Sequence, residues 1–393
     1  MPADQLTDTQ DIPRLLGSYG GYGDGPLVIC LGGMHGNEPA GIFAAQRALQ
    51  ILHSAQPPFR GEFVALAGNR AALARGRRYI EQDLNRLWSA ERLAALQTDT
   101  QCNARGPEDE EQRELLAAIE ATLARQRGPV IFLDLHTTSA PGVPFTVIGD
   151  TLLNRHLALS IPAPLILGLE EYLDGTTLNY MNDRGYLAVG FEGGQNEASS
   201  AIDNHEVAIW LTLVTAGCLR REDVPQLSAL RETVACQASQ LPRVFEVRDR
   251  HVIGAGDQFV MEPGYRNFQV VERGQLLAHD RHGEIRAREN GYMLMPLYQS
   301  QGTDGFFLVR EVKPFWLHLA AGMRRLRLEA VLPWLPGIRR HPEQPETLIV
   351  NAKIARWFVI ELFHLLGFRR QRSDGENLIV SRRPHDAFSL AEW

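Results

Sequence analysis

The chain has 393 residues, more than one hydrophobic core usually serves, so two or three domains are expected. Its composition of 44% hydrophobic and 22% charged residues is that of an ordinary folded protein and excludes a disordered, collagen-like or disulfide-scaffold chain. A formal charge of −7 gives no general attraction for nucleic acid or an anionic membrane, so neither is an expected partner.

Residues 1–11 carry acids and no apolar run, the opposite of a secretory signal. Cys30, Cys102, Cys218 and Cys236 show no CxxC spacing, which speaks for reduced thiols rather than a thiolate metal site or a disulfide framework. The longest apolar stretch, 207–219, is too short for a bilayer and reads as a buried helix. The expected localisation is cytoplasmic.

From residue 26 to about 220, β-rich runs alternate with helical patterns, the order of a mostly parallel sheet covered by helices. Strands are expected at 27–31, 62–66, 130–135, 144–148 and 186–191. Helices are expected at 39–52, where Ile42, Ala45, Leu49 and Leu52 follow helical spacing, and at 107–127, where acids crowd the first turn. Over 245–309 short alternating segments broken by glycines predict a small antiparallel β domain. The tail from 313 carries 13 Lys and Arg against 8 Asp and Glu. Helical periodicity covers 317–332 and 347–366, and a hairpin is expected over 368–380 around Asp374-Gly375. A helix and a basic hairpin also outline a winged nucleic-acid reader, but arginines on solvated faces explain the same pattern. The reading is an α/β fold, a mostly parallel, mixed sheet flanked by helices, with a smaller antiparallel β domain and a C-terminal α+β extension. The expected domains are 1–222, 240–312 and 313–393.

Polar residues stand where these strands end. Gly32-Gly33-Met34-His35-Gly36-Asn37-Glu38 joins a strand to a helix, so an imidazole and a carboxylate three apart can reach one cation. The apolar run 130–136 turns polar at Asp134 and His136, two apart and therefore on one side of the strand. His136 is a candidate ligand, and Asp134 a candidate acceptor holding an imidazole in its metal-binding tautomer, assigned here to His35. His35, Glu38 and His136 form the two-histidine, one-carboxylate set of a hydrolytic zinc site with one open position. Glu192, between Phe191 and Gly193 at another strand end, is the candidate general base. In 78–86, Arg86 beside Asn85 suits a substrate carboxylate, and Arg78 suits a developing oxyanion. Arg184 is a further candidate carboxylate partner.

His35-Gly36-Asn37-Glu38, the run 78–86, Asp134-Leu135-His136 and the glycine-flanked Glu192, in this order and spacing, resemble the aspartoacylase and succinylglutamate desuccinylase family, relatives of the zinc carboxypeptidases. The similarity spans 27–309, including a β-rich second domain that in the family shields the cleft and limits it to small substrates. The resemblance implies a zinc carboxypeptidase-like fold and one zinc ion on His35, Glu38 and His136. It implies Glu192 as general base and acid and Arg78 as carbonyl polariser. Asn85 and Arg86, and less directly Arg184, would bind the substrate carboxylate. Aspartoacylase also uses a second-domain tyrosine, and this chain departs from that pattern over 298–307, which includes Tyr298. The tail from 313 has no counterpart in the family core.

The expected activity is hydrolysis of the amide bond of a small N-acylated amino acid. A carboxypeptidase acting on short peptides uses the same chemistry and stays open, as does a non-catalytic module that binds through the cleft or the basic tail. A homo-oligomer is compatible with the sequence, and the tail is a candidate docking element.

Overall fold

The structure is a computed structural model that describes residues 9, 11–21, 23–98, 106–224, 226–326, 328–342, 344, 347–351, 366–374 and 377–382. In chain order the first part contains β1 (Leu15–Gly20), β2 (Leu27–Gly32), α1 (Ala40–Ala55), β3 (Glu62–Ala67), α2 (Arg70–Leu73), α3 (Ala90–Thr98) and α4 (Pro107–Leu123). It continues with β4 (Val130–Thr138), β5 (Phe145–Ile148), α5 (Leu152–Ser160), β6 (Leu165–Leu167), α6 (Thr177–Asp183), β7 (Leu187–Gln195), α7 (Ser199–Thr215) and α8 (Leu227–Gln237). All five expected strands are present, and the apolar stretch 207–219 falls largely in α7.

The strands β3, β2, β4 and β7 lie side by side and parallel. Their continuous apolar runs reflect burial on both faces, which a parallel sheet with crossover helices requires. On one face Ala44, Ala48 and Leu49 of α1 and Val207, Trp210 and Leu211 of α7 pack over Val28, Cys30, Leu133 and Val189. On the other, Leu115 and Ile119 of α4 and Met181 of α6 cover Leu27, Ile29 and Phe132. The edge strand β1, which its glycines conceal from period-two reading, joins β3 antiparallel.

The second part comprises β8 (Val244–Val252), β9 (Val260–Met261), β10 (Val270–Val271), β11 (Leu276–Asp280), β12 (Gly283–Arg286), β13 (Gly291–Leu294) and β14 (Asp304–Glu311). β8 pairs parallel with β6, so β8, β14, β13 and β10 extend the first sheet to 11 strands. One sheet therefore crosses the boundary expected near 222–240. The remaining β12, β11 and β9 form their own three-stranded antiparallel sheet.

The tail contains α9 (Pro314–Arg325) and a four-stranded antiparallel sheet of β15 (Ile338–Arg340), β16 (Thr347–Asn351), β18 (Asn377–Arg382) and β17 (Phe368–Asp374), in that order across the sheet. The hairpin over 368–380 is present as β17 and β18. The helix expected over 347–366 needs correction at its start: Thr347–Asn351 is a strand paired on both sides, favoured by Thr347, Ile349 and Val350. Its remainder, 352–365, lies outside the described residues, as do Cys102 and Gly375. Among the described residues no helix is long and apolar enough to cross a membrane.

Candidate active site

The carboxyl ends of β2, β4 and β7 open into one crevice, the usual ligand site of an open α/β sheet. After β2 the chain turns sharply through residues 33–39 into α1. Gly36 passes so close to Ala72 that an added Cβ would lie 2.1 Å from its carbonyl carbon, so only glycine allows the turn to close. This turn presents His35 and Glu38, and β4 presents His136, as one buried group whose ligand atoms all lie within 4.8 Å of one another.

Both rings turn Nδ1 towards the Glu38 carboxylate. His35 Nδ1 is 2.9 Å from Glu38 Oε1, and His136 Nδ1 is 3.1 Å from Oε2. Each ring has a second carboxylate behind it: Asp83 Oδ1 lies 3.1 Å from His35 Nε2, and Asp134 Oδ1 lies 3.2 Å from His136 Nε2. Asp83, accepting from His35 Nε2–H, leaves that ring's Nδ1 lone pair facing inward, the tautomer a metal needs, whereas Asp134 Oδ1 stands within ion-pair distance of His136 Nε2 without a hydrogen bond. This corrects the assignment of Asp134 to His35. Side chains two apart share a strand face, so Asp134 sits beside its own strand's His136, and its Oδ2 accepts from Thr177 Oγ1 at 2.7 Å.

These residues fit a divalent cation. His35 Nδ1 is buried and makes no hydrogen bond, although Glu38 Oε1 is 2.9 Å away, because the two are out of line for one. Two ligands converging on a common ion adopt such an arrangement. An unpaired buried polar atom costs about 1–3 kcal/mol, which coordination would remove. Two imidazole nitrogens and a carboxylate are a donor set that zinc and similar ions accept.

The electrostatics follow from these contacts. Burial raises the pKa of Glu38, but the adjoining His35 and His136 outweigh it and hold the carboxyl well below its usual range. Burial likewise opposes ionisation of Asp83, and His35 with Arg78 reverses the balance. The His136 ring is held well above its usual value by Asp134 and Glu38 despite burial.

Glu192 faces the same crevice from β7, where it is the register partner of His136. Its Oε2 is buried with no hydrogen-bond partner. Burial, with a smaller contribution from Glu38, pushes its pKa up to about 7 against the opposing pull of His136, His35 and Arg78.

The loop 78–86 brings the cations. Arg78 Nη1 donates to Glu38 Oε1 at 3.2 Å and Nη2 donates to Asp83 Oδ2 at 3.1 Å, so one guanidinium bridges the cluster and its support. Asn85 Oδ1 accepts from Thr177 N at 3.0 Å and Thr177 Oγ1 at 3.2 Å. Arg86 donates to the Asn85 carbonyl at 2.9 Å and to Asp304 Oδ2 at 3.3 Å. Asp304 also receives Arg250 Nε at 2.5 Å, so a carboxylate at the start of β14 is shared by two arginines. The loop is shaped by Glu108 in the first turn of α4, whose carboxylate accepts from Ile80 N at 2.7 Å, Glu81 N at 3.1 Å and Gln82 N at 3.3 Å.

Arg184 does not join this group. It pairs with Glu120 on α4 and stacks over Tyr180 and Tyr186, with its side chain about a third exposed. Placed after α6, before β7 begins, it is carried to the surface instead of the crevice. Tyr298 also turns away: its hydroxyl donates to Glu262 O at 2.7 Å and accepts from Tyr265 N at 2.8 Å. Its neighbours bridge the two parts instead. Gln299 Oε1 accepts from Asn37 Nδ2 at 2.8 Å, and Gln301 Nε2 donates to Tyr79 O at 3.0 Å.

Residue reading missed Asp83 as the support of His35, since without coordinates it resembles half of a surface pair with Arg86. It also missed the pair Asn204 and His205 beneath the crevice. His205 is fully buried and its Nε2 lies 2.9 Å from the His136 carbonyl oxygen. Burial lowers its pKa to about 4, so the ring is neutral at physiological pH. They stand in the polar run Asp203-Asn204-His205-Glu206 just before the apolar stretch of α7, so nothing in the local pattern marks them as buried.

An α/β sheet with a buried His-Glu-His group at its carboxyl edge and a glutamate beside it defines the class of α/β enzymes with a candidate metal centre. Residues 24–182 match the family model described as the succinylglutamate desuccinylase/aspartoacylase catalytic domain, so this part of the chain is similar to that catalytic domain. The match contains His35, Glu38, Arg78, Asn85, Arg86, Asp134 and His136, and ends before Glu192. The succinylglutamate desuccinylase of Burkholderia thailandensis is 26% identical over 262 residues, covering 64% of this chain and 70% of the relative. A probable aspartoacylase of Nostoc is 32% identical over 113 residues, 29% of this chain and 35% of the relative. The crystal structure of succinylglutamate desuccinylase from Vibrio cholerae superposes with a TM-score of 0.52 at 17% identity, covering 74% of this chain and 82% of that one. The succinylglutamate desuccinylase/aspartoacylase structure from Rhodobacter sphaeroides gives 0.52 at 19% identity, covering 75% and 87%. At these identities the structures establish the shared fold.

Proposed function

We propose that the chain is a zinc-dependent hydrolase that cleaves the amide bond of a small N-acylated amino acid. The observation that carries this reading is the convergence of His35, Glu38 and His136, with buried Glu192 beside them on the neighbouring strand. A divalent cation bound by the three side chains supplies Lewis-acid polarisation and brings a water's pKa towards neutrality.

The protein's own groups account for the rest. Glu192, whose Oε2 has no protein partner, accepts a proton from the attacking water and returns it to the leaving amine nitrogen. Arg78, fixed by Glu38 and Asp83, directs a guanidinium at the oxygen that becomes negative as the carbonyl carbon turns tetrahedral. Arg86 and Asn85 hold the substrate carboxylate, with Asp304 keeping the Arg86 fork in place until substrate arrives. The second-domain loop tied to Asn37 and Tyr79 narrows the approach, which favours a small substrate over an extended peptide. In this reading 240–312 works as the cap of the site and 313–393 as an appended module.

The test is a metal analysis of the purified protein joined to a hydrolysis screen over acetyl, succinyl and longer acyl amino acids and short peptides. One equivalent of zinc and chelator-sensitive release of the free amino acid are expected. Turnover of peptides alone would make the chain a carboxypeptidase, and turnover of nothing would leave a binding module.

A further inference from the structure

The ladder between β4 and β7 breaks at the crevice. His136 pairs with Glu192 and Thr138 with Gln195, so Gly193 and Gly194 together oppose the single Thr137. This is a β-bulge, which re-aims side chains and leaves backbone groups without ladder partners. Buried carbonyls must be satisfied elsewhere, and two adjacent side chains of α7 do so from below. His205 Nε2 is 2.9 Å from the His136 carbonyl oxygen. Asn204 Nδ2 donates to the Gly193 carbonyl at 2.8 Å, and Gln237 Nε2, donating to Asn204 Oδ1 at 2.9 Å, fixes which end of the amide faces the strand. The His205 ring meets Phe191 edge to face at 5.6 Å. It lies so close under Gly193 that an added Cβ would be 2.5 Å from Nε2. One bond thus holds the strand at His136 and the other holds the chain one residue after Glu192.

We propose that Asn204 and His205 are positioning residues that set the distance between the ligand His136 and the base Glu192 by bonding the His136 and Gly193 carbonyls at the bulge. The inference rests on the metal-centre reading above. Neither side chain touches substrate or ion; both act through backbone.

The full-length protein is tested as wild type, His205→Leu, His205→Gln and Asn204→Leu, using Co2+ as probe. Its visible absorption reports ligand geometry, and competition with a chelator reports affinity. Glutamine restores an N–H donor near the place of Nε2, whereas leucine fills the space without one. Expected are a 10- to 100-fold loss of Co2+ affinity and an altered spectrum in His205→Leu, and recovery of most of both in His205→Gln. Asn204→Leu should lower kcat on an N-acyl amino acid with KM within about twofold, because Glu192 moves while the carboxylate clamp does not. Equal defects in the leucine and glutamine variants, or folded leucine variants with wild-type spectrum, affinity and kcat, would overturn the proposal. If His205→Leu does not fold, unchanged kcat in Asn204→Leu overturns it. Wild-type protein that binds no Co2+ defeats the metal reading itself, and that failure is recognised because it precedes any substitution. Wild-type protein that binds Co2+ but hydrolyses nothing defeats only the assigned reaction and leaves the spectroscopic test in force.

Discussion

The replacement Asp83→Asn tests the claim that His35 is oriented from the loop 78–86. Asp83 Oδ1 lies 3.1 Å from His35 Nε2, and its Oδ2 accepts from Arg78 at the same distance. An amide keeps the shape and removes the charge. A hydrogen bond to a charged group contributes roughly 1.5–3 kcal/mol, so about 10- to 100-fold should be lost in metal affinity. Arg78 retains its bond to Glu38, so the loop should stay in place and thermal stability should fall little. The assay is chelator competition at fixed pH, with Asp134→Asn in parallel, because Asp134 Oδ1 lies 3.2 Å from His136 Nε2. Both variants should weaken binding, and each should also lower kcat. Wild-type affinity in Asp83→Asn alongside a loss in Asp134→Asn would show that His35 takes its orientation from elsewhere and refute the reasoning.

Glu192→Gln should lower kcat by about 10²- to 10⁴-fold while leaving bound metal near wild type, since Glu192 Oε2 makes no bond within the protein. Glu192 acts as the carboxylate, so activity should rise with pH through its pKa. Burial first, opposed by His136, places that pKa at about 7 without an ion, and a bound cation's charge moves the acid limb lower. A pH–rate profile shows the limb in the wild type and its loss in any residual activity of the variant. Arg184→Ala should leave kcat/KM within about twofold, because its partner is Glu120 at the surface and such pairs contribute about 0–1 kcal/mol. Arg86→Ala should raise KM; equal effects of the two would restore Arg184 to the site. Arg324 of α9, 1% exposed, donates to the Asp150 carbonyl and to Asp150 Oδ2 at 2.8 Å each. Because Arg155 still compensates the Asp150 carboxylate, Arg324→Met should destabilise the protein by about 1–2 kcal/mol, seen as a lower denaturation midpoint. An unchanged midpoint would show that the tail is only loosely attached.

The sheet, and the polar residues gathered at its carboxyl edge, were legible in the amino-acid pattern. Apolar runs that end abruptly in polar residues identify buried strands and the side of the sheet where chemistry gathers, because backbone burial demands the first and solvent access permits the second. That reasoning reached His35, Glu38, His136 and Glu192, and the chemistry of the run 78–86 put forward Arg78, Asn85 and Arg86. Tertiary structure alone decided which carboxylate stands behind which imidazole, since Asp83 and His35 are 48 residues apart and no local period relates them. It also decided that Arg184 belongs to the surface, that Tyr298 points away, and that Asn204 and His205 reach up through the sheet to a bulge. Local pattern reports which face a side chain takes within its own element. Contacts between elements depend on loop paths and strand irregularities, which leave no periodic trace in the chain.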